Sequence, residues 1–395
     1  MEFSIGRAFA RPGDLAGATM ISKLRLWENP WLLMLVVNFA VFFGVFWHKI
    51  MLPPYLPYIH LVVDYHYGFT RRALIGAAVA LFCAKVPEWL VFALAGAAWL
   101  ITAGLFVQLF RRTFGFEPRN LPLFVLLAGS PYFLKNFLHT LGHFDIYGCM
   151  LTIVLLLVPA RSIAYLLLAA LFSAVLVMIH HIHILLYVPT IAFIVVLRHY
   201  LVQGVYRQNA IVGVGLLAAI GVLCIALQFH GSVPVPQTEF VAYLSSRMAD
   251  PSRQDLLGFS YIWYRPLMDE IRDTWLTLPF NLLGIPVYSL LLLVHVPVWR
   301  YSADLIAALR HDTHRRVVIA GTVAISIGYL ALFAIVFDYS RWVANWSVCL
   351  FLILHAVKAL PAARDVAPIP TDDRRTTTYG WIVTLFPRVG IIRPF

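Results

Sequence analysis

Apolar runs of about 20 residues recur along this chain from residue 31 to residue 360. A helix of that length crosses roughly 30 Å, the hydrocarbon thickness of a bilayer. The runs lack the strict alternation of barrel strands, so the spanning element is the helix, which satisfies its own backbone polar groups in lipid. The pattern predicts ten crossings, at 31–50, 89–110, 121–138, 146–160, 163–178, 182–198, 209–229, 276–298, 317–337 and 343–360. The fold class is therefore all-α, a polytopic transmembrane helical bundle. One apolar segment, 73–86, is left over. It is 14 residues long and includes Lys85, short for a crossing. It is expected to lie along the membrane within the first external loop.

This layout makes residues 1–360 a single transmembrane domain with a long external loop at about 230–275. Residues 361–395 form a basic cytoplasmic tail that turns apolar again at Trp381–Phe386. The first run begins near Trp31, is too long for a signal-peptide core and reads as a retained first helix.

Composition agrees with the pattern. Of 395 residues, 61% are hydrophobic and only 12% charged, against about 25% charged in soluble domains. The net charge of +11 does not point to nucleic acid here, because basic loops fix membrane orientation. With 73–86 on the surface, 20 of the 30 Lys and Arg fall on one side. They are Arg7, Arg11, Lys23 and Arg25; Arg111, Arg112 and Arg119; Arg161; Arg198 and Arg207; Arg300, Arg310, Arg315 and Arg316; and the tail from Lys358 to Arg393. The positive-inside rule makes that side cytoplasmic, with both termini, in a cell inner membrane. The four cysteines (Cys83, Cys149, Cys224, Cys349) are widely spaced in apolar stretches and read as small core residues.

The same topology gathers the remaining polar clusters on the external face. They are Asp64-Tyr65-His66-Tyr67 with Arg71-Arg72; Lys135, His139, His143 and Asp145; His180, His181 and His183; Asp269, Glu270, Arg272 and Asp273; and Asp338 with Arg341. Ionisable groups near lipid are costly, so such convergence is a functional signal. Each cluster also has a plain structural alternative. Asp64 is either a general base for a hydroxyl or the salt-bridge partner of Arg71 or Arg72. Arg71 and Arg72 suit a phosphate, or snorkel at the interface. His139, His143 and Asp145 bind a metal, a sugar or a phosphate, or Asp145 stabilises the first turn of a helix. His180-His181-Ile182-His183 is a weak metal signal without carboxylate partners. Arg341 clamps a phosphate, or pairs locally with Asp338.

Three features resemble the GT-C superfamily of membrane glycosyltransferases. An acidic residue, Asp64, follows the first helix, and membrane-parallel helices are expected in the first external loop. The turn Gly142-His143-Phe144-Asp145-Ile146-Tyr147-Gly148 is similar to the GHFQYN turn of lipid-linked-sugar glucosyltransferases, with Asp145 in the place of Gln. The resemblance covers the first 160 residues in pattern and short strings in sequence. The chain is short for that superfamily and lacks its soluble sugar-binding domain.

The resemblance implies a polyprenyl-phosphate-linked sugar as donor, with the bilayer as the other partner. Asp64 would deprotonate the acceptor, and the leaving phosphate would meet Arg71, Arg72, Lys135 and His139, with His143, Asp145, His180 and Arg341 completing the binding set. Tyr261, Trp263 and Tyr264 would form a sugar platform. No metal and no other cofactor is implied. Two other readings stay open: an O-antigen-type polymerase or ligase that uses arginines and a lipid-diphosphate donor, and a non-enzymatic subunit or transporter.

Overall fold

The computed structural model describes residues 29–160, 163–203, 206–336 and 338–386. The basic residues Arg7, Arg11, Lys23, Arg25, Arg161, Arg388 and Arg393, which support the expected orientation, lie outside them. Helix α1 (Pro30–Ile50) begins where the Asn29 side chain accepts from the amides of Trp31 and Leu32, with Pro30 at the first helical position. Short helices α2 (Tyr55–Val62) and α3 (Leu74–Ala80) follow, then the long α4 (Trp89–Thr113). At seven residues, α3 rises only about 10 Å, far short of a bilayer.

The run at 121–138 is not one helix. Gly129-Ser130-Pro131 divides it into α5 (Leu121–Ala128) and α6 (Leu134–His139), because Pro131 donates no amide and restricts the residue before it. Helix α7 (Asp145–Leu157) has 13 residues and α8 (Ile163–Ile179) has 17. A one-turn helix at His181–Ile184 leads into α9 (Val188–Gln203), and α10 (Tyr206–His230) returns. After α11 (Gln237–Ser246) come α12 (Leu267–Leu276), α13 (Leu278–Leu283), α14 (Ile285–Val294) and α15 (Val296–Ala307). The chain closes with α16 (Asp312–Ile335), α17 (Tyr339–Lys358) and α18 (Arg374–Leu385).

Among the described residues, six helical stretches are long and apolar enough to cross a membrane: Pro30–Ile50, Trp89–Thr113, His181–Arg198, Ala210–His230, Asp312–Ile335 and Tyr339–Lys358. A seventh exists if α12 and the stretch Leu278–Val294, bent by 53° at their junction, make one span. The other three expected crossings are helical but broken or short. The described residues thus make a helical membrane protein with six or seven candidate spans, against an expected ten crossings.

Helix α17 is the axis of the bundle. It is buried along most of its length and packs against α4, α7, α9, α15 and α16. The outer helices show the reverse pattern, with Phe39, Phe43 and Trp47 of α1, Val214 and Val222 of α10, and Val323 and Ile327 of α16 exposed. Apolar residues facing outward at helical spacing are the lipid-facing surface of such a bundle.

Two features depart from the expected layout. Helix α18, within the expected tail, packs along α1 and α5, with Gly380 against Trp31 and Met34. Asn38 donates to the Thr384 hydroxyl at 2.9 Å. Secondly, the 51–88 and 231–266 loops share a small hydrophobic core of their own, built from Tyr58, Val62, Val86, Phe240, Leu244, Leu257 and Trp263 among others. An isolated parallel bridge between Val86 and Met248 ties the two loops. Together they form a cap over one end of the bundle.

Candidate functional site

Beneath the cap lies a cavity of about 720 Å³. Its walls come from the loop after α1, the 139–143 turn, the 180–182 turn, the 259–265 segment, α12, and the junction of α16 with α17. Five of the expected binding residues meet there: Arg72, His139, His143, His180 and Arg341. Lys49, His181, Arg265, Glu270 and Asp338 also line it. Leu52, Pro53, Leu56, Phe92, Leu141 and Trp342 supply an apolar wall. One volume therefore offers cations, carboxylates and an apolar surface.

Asp145, Asp64, Arg71 and Lys135 do not line the cavity, and each has a definite reason. Asp145 is buried behind Arg341. It accepts from Arg341 Nε at Oδ2 and from Nη2 at Oδ1 (2.8 Å), and from Asn345 Nδ2 at 3.1 Å. Asn345 in turn accepts from the Tyr187 hydroxyl at 2.7 Å. This is bidentate recognition, the arrangement that fixes a guanidinium most firmly. Asp145 thus aims Arg341 instead of contacting the cavity itself. Arg341 also stacks on Trp342, with its central carbon 4.7 Å from the ring, and its Nη1 reaches Asp338 at 3.7 Å.

Asp64 belongs to the cap. The Tyr243 hydroxyl donates to its two oxygens at 2.9 and 2.8 Å, Arg247 Nη1 lies 2.9 Å from Oδ2, and the His66 amide donates to Oδ1. Its ion-pair partner is Arg247, not Arg71 or Arg72. Burial, then the hydrogen bond to Asp64, pushes the Tyr243 phenol above its ordinary value.

Arg71 is a backbone clamp. Its Nη2 donates to the carbonyls of Ile262 (3.0 Å), Trp263 (3.1 Å) and Arg265 (2.9 Å), and Trp263 Nε1 donates back to the Arg71 carbonyl. Lys135 is fully buried and donates to the last carbonyls of α18, Val383 (2.8 Å) and Thr384 (2.5 Å). It therefore caps a helix C-terminus, where a cation complements the dipole. The expected sugar platform is likewise divided: Tyr261 lines the cavity, Trp263 is buried, and Tyr264 donates to the Val235 carbonyl.

The turn from Gly142 to Gly148 builds much of this site. Gly142 has φ +84°, and a Cβ there would meet Pro57 at 2.7 Å, so glycine lets the turn lie against α2. His143 faces the cavity, and burial followed by the Arg341 charge pulls its imidazole down to about 3, so it is neutral. Phe144 packs on His60 and His180. A Cβ at Gly148 would fall 2.1 Å from the Tyr187 ring, so this glycine admits the tyrosine that holds Asn345.

Arg72 is the most unusual residue of the site. It is the one non-glycine residue with positive φ (62°) among those described. It is 9% exposed, its Nε has no hydrogen-bond partner, and its ion pair to Glu270 is long, at 3.9 Å. Burial lowers its guanidinium to about 10, an effect partly offset by Glu270 and reinforced by the neighbouring charges of Arg71 and Arg341. Strained, under-paired groups of this kind collect at functional sites.

Glu270 and Asp338 stood within clusters visible in the sequence, but nothing local separated them from their neighbours. Lys49 and Arg265 gave no signal beyond lying near helix ends. The three histidines at 180, 181 and 183 do not make a metal centre: among the described residues no group of three His, Cys, Asp or Glu is placed to hold an ion. Compared with known proteins, the chain matches no family model, no curated protein and no solved structure.

Proposed function

We propose that this protein is a membrane glycosyltransferase that moves a sugar from a polyprenyl-phosphate donor to an acceptor on the external face of an inner membrane. The observation that carries the reading is the cavity itself. It combines Arg72 and Arg341 with two carboxylates and an apolar wall, at the end of the bundle where the polar clusters were expected to converge.

In this reading the general base passes from Asp64 to Asp338. Asp64 has both oxygens engaged by Tyr243 and Arg247. Asp338 lines the cavity, with a side chain 38% exposed, a 3.7 Å contact to Arg341 at one oxygen and a long 3.5 Å hydrogen bond from the Ser340 hydroxyl at the other. Its carboxylate takes the proton of the acceptor hydroxyl. The acceptor oxygen bonds to the anomeric carbon while that carbon's bond to the phosphate oxygen breaks. The electron pair leaves on the polyprenyl phosphate, and the anomeric centre inverts. Cations held beside the leaving phosphate stabilise the charge that develops there. Arg72 is placed for this role, and Arg341 adds a positive group that Asp145 keeps from rotating.

The test is turnover by the purified full chain in detergent, read as release of polyprenyl phosphate from a panel of polyprenyl-phosphate hexoses. Asp338→Asn is expected to lower the rate about 100-fold or more, the scale of a lost general base. No turnover of any such donor by the folded protein, or an unchanged rate in Asp338→Asn, contradicts the reading.

The arginine lining favours one second reading, a transferase of the polymerase or ligase type using lipid-diphosphate donors. It predicts turnover of diphosphate-linked donors and indifference to Asp338→Asn, so the same assay separates the two.

A further inference from the structure

We infer that Arg72 is a phosphate-binding site held closed by Glu270, which occupies the place of the ligand's anion until a phosphate-bearing headgroup displaces it. The inference deepens the proposed function and rests on its assignment of the cavity as the binding site.

Three observations meet at Arg72. The guanidinium lines the cavity while the residue is more than nine-tenths buried, and its Nε has no partner. Its ion pair is to a single Glu270 oxygen at 3.9 Å, about 1 Å longer than a charge-assisted hydrogen bond. Its backbone is held in the left-handed region, which is strained for a residue with a side chain. A buried cation so poorly matched gains from any anion that reaches hydrogen-bonding distance. A phosphate presents several oxygens to the planar fork of an arginine, where Glu270 presents one at long range.

The surroundings explain why Glu270 is the element that yields. Arg71 and Arg72 are adjacent but engage different structures. Arg71 is locked onto the carbonyls of 262–265, so the backbone beneath Arg72 is fixed. Glu270 lies in the first turn of α12, the ten-residue limb before the 53° bend. That helix is held by other contacts: Arg265 pairs with Asp273, and the Thr274 hydroxyl donates to the Ile335 carbonyl at 2.9 Å. Loss of the Glu270 contact therefore leaves α12 in place, and only the side chain has to swing away.

The experiment measures binding, not transfer. The full chain, purified in detergent, is titrated with polyprenyl monophosphate and separately with inorganic phosphate, as wild type, Glu270→Gln and Arg72→Lys. Removing the competing carboxylate is expected to tighten polyprenyl monophosphate about tenfold, and Arg72→Lys, which keeps the charge and loses the fork, to weaken it. A matching gain for inorganic phosphate means that the site reads the phosphate alone, and a gain confined to the lipid means that the chain is read as well; both support the site. Unchanged or weaker binding in Glu270→Gln, or no binding by either variant or wild type, overturns it. Tighter binding in Glu270→Gln with no sugar donor turned over leaves the phosphate site standing and removes the glycosyl-transfer reading. Turnover with unchanged binding in Glu270→Gln does the reverse.

Discussion

Asp64 shows how far a single residue's chemistry is decided by partners distant in the chain. A carboxylate after the first helix suggests a base, or a salt bridge to the nearby Arg71 or Arg72. Its structure-determining contacts are Tyr243 and Arg247, roughly 180 positions away. The side chain of Arg247 is only 7% exposed and also donates to the Val62 carbonyl. Removing one member of such a pair leaves a buried charge without its counter-ion. Asp64→Ala is therefore expected to destabilise the folded protein by about 3 kcal/mol, seen as a lowered unfolding midpoint in detergent, with the remaining folded molecules still turning over donor. A stable but inactive Asp64→Ala would return Asp64 to the chemistry. Arg71 and Lys135 carry the same lesson. Both have phosphate-binding side chains, and both spend them on backbone carbonyls that sequence does not place beside them. Arg72, His139, His143, His180 and Arg341 were legible because they flank helix ends, where the cavity forms.

At the scale of elements, the turn from Gly142 to Gly148 positions chemistry supplied by other helices. It sets Asp145 at the start of α7, against Arg341 at the start of α17, and opens space at Gly148 for Tyr187 at the entry to α9. Gly148→Ala places a methyl group inside the Tyr187 ring. The expected result is a loss of about 1–3 kcal/mol from overpacking and release of the Tyr187–Asn345 hydrogen bond, which leaves Arg341 less firmly aimed. Thermal unfolding measures the first effect, and a fall in turnover larger than the fall in folded fraction measures the second. An unchanged midpoint would show that the ring has room to move. The break at 129–133 was also written in the sequence, as Gly-Ser-Pro inside an apolar run, and hydropathy alone does not register it.

For the whole molecule, apolar periodicity identified a helical membrane protein and most of its long helices. Six or seven of the ten expected crossings are long apolar helices among the described residues, and the other three apolar stretches form short or broken helices, because hydropathy weighs apolarity without continuity. The tail was the other shortfall. Residues 374–385 look basic, then weakly apolar, yet α18 fills a groove beside α1 and α5, its last carbonyls held by Lys135. Only the assembled bundle supplies that lysine. What assembly adds for function is a single cavity under a cap, built from helix ends that are far apart in sequence. The central claim is that this cavity takes the phosphate of a polyprenyl-linked donor. It is tested most directly by determining the structure of the full chain in lipid nanodiscs with polyprenyl monophosphate bound. Headgroup density is expected within hydrogen-bonding distance of Arg72, with Glu270 turned away and the polyprenyl chain leaving along the apolar wall. A headgroup bound elsewhere, with the cavity empty and the Arg72–Glu270 contact intact, would contradict it.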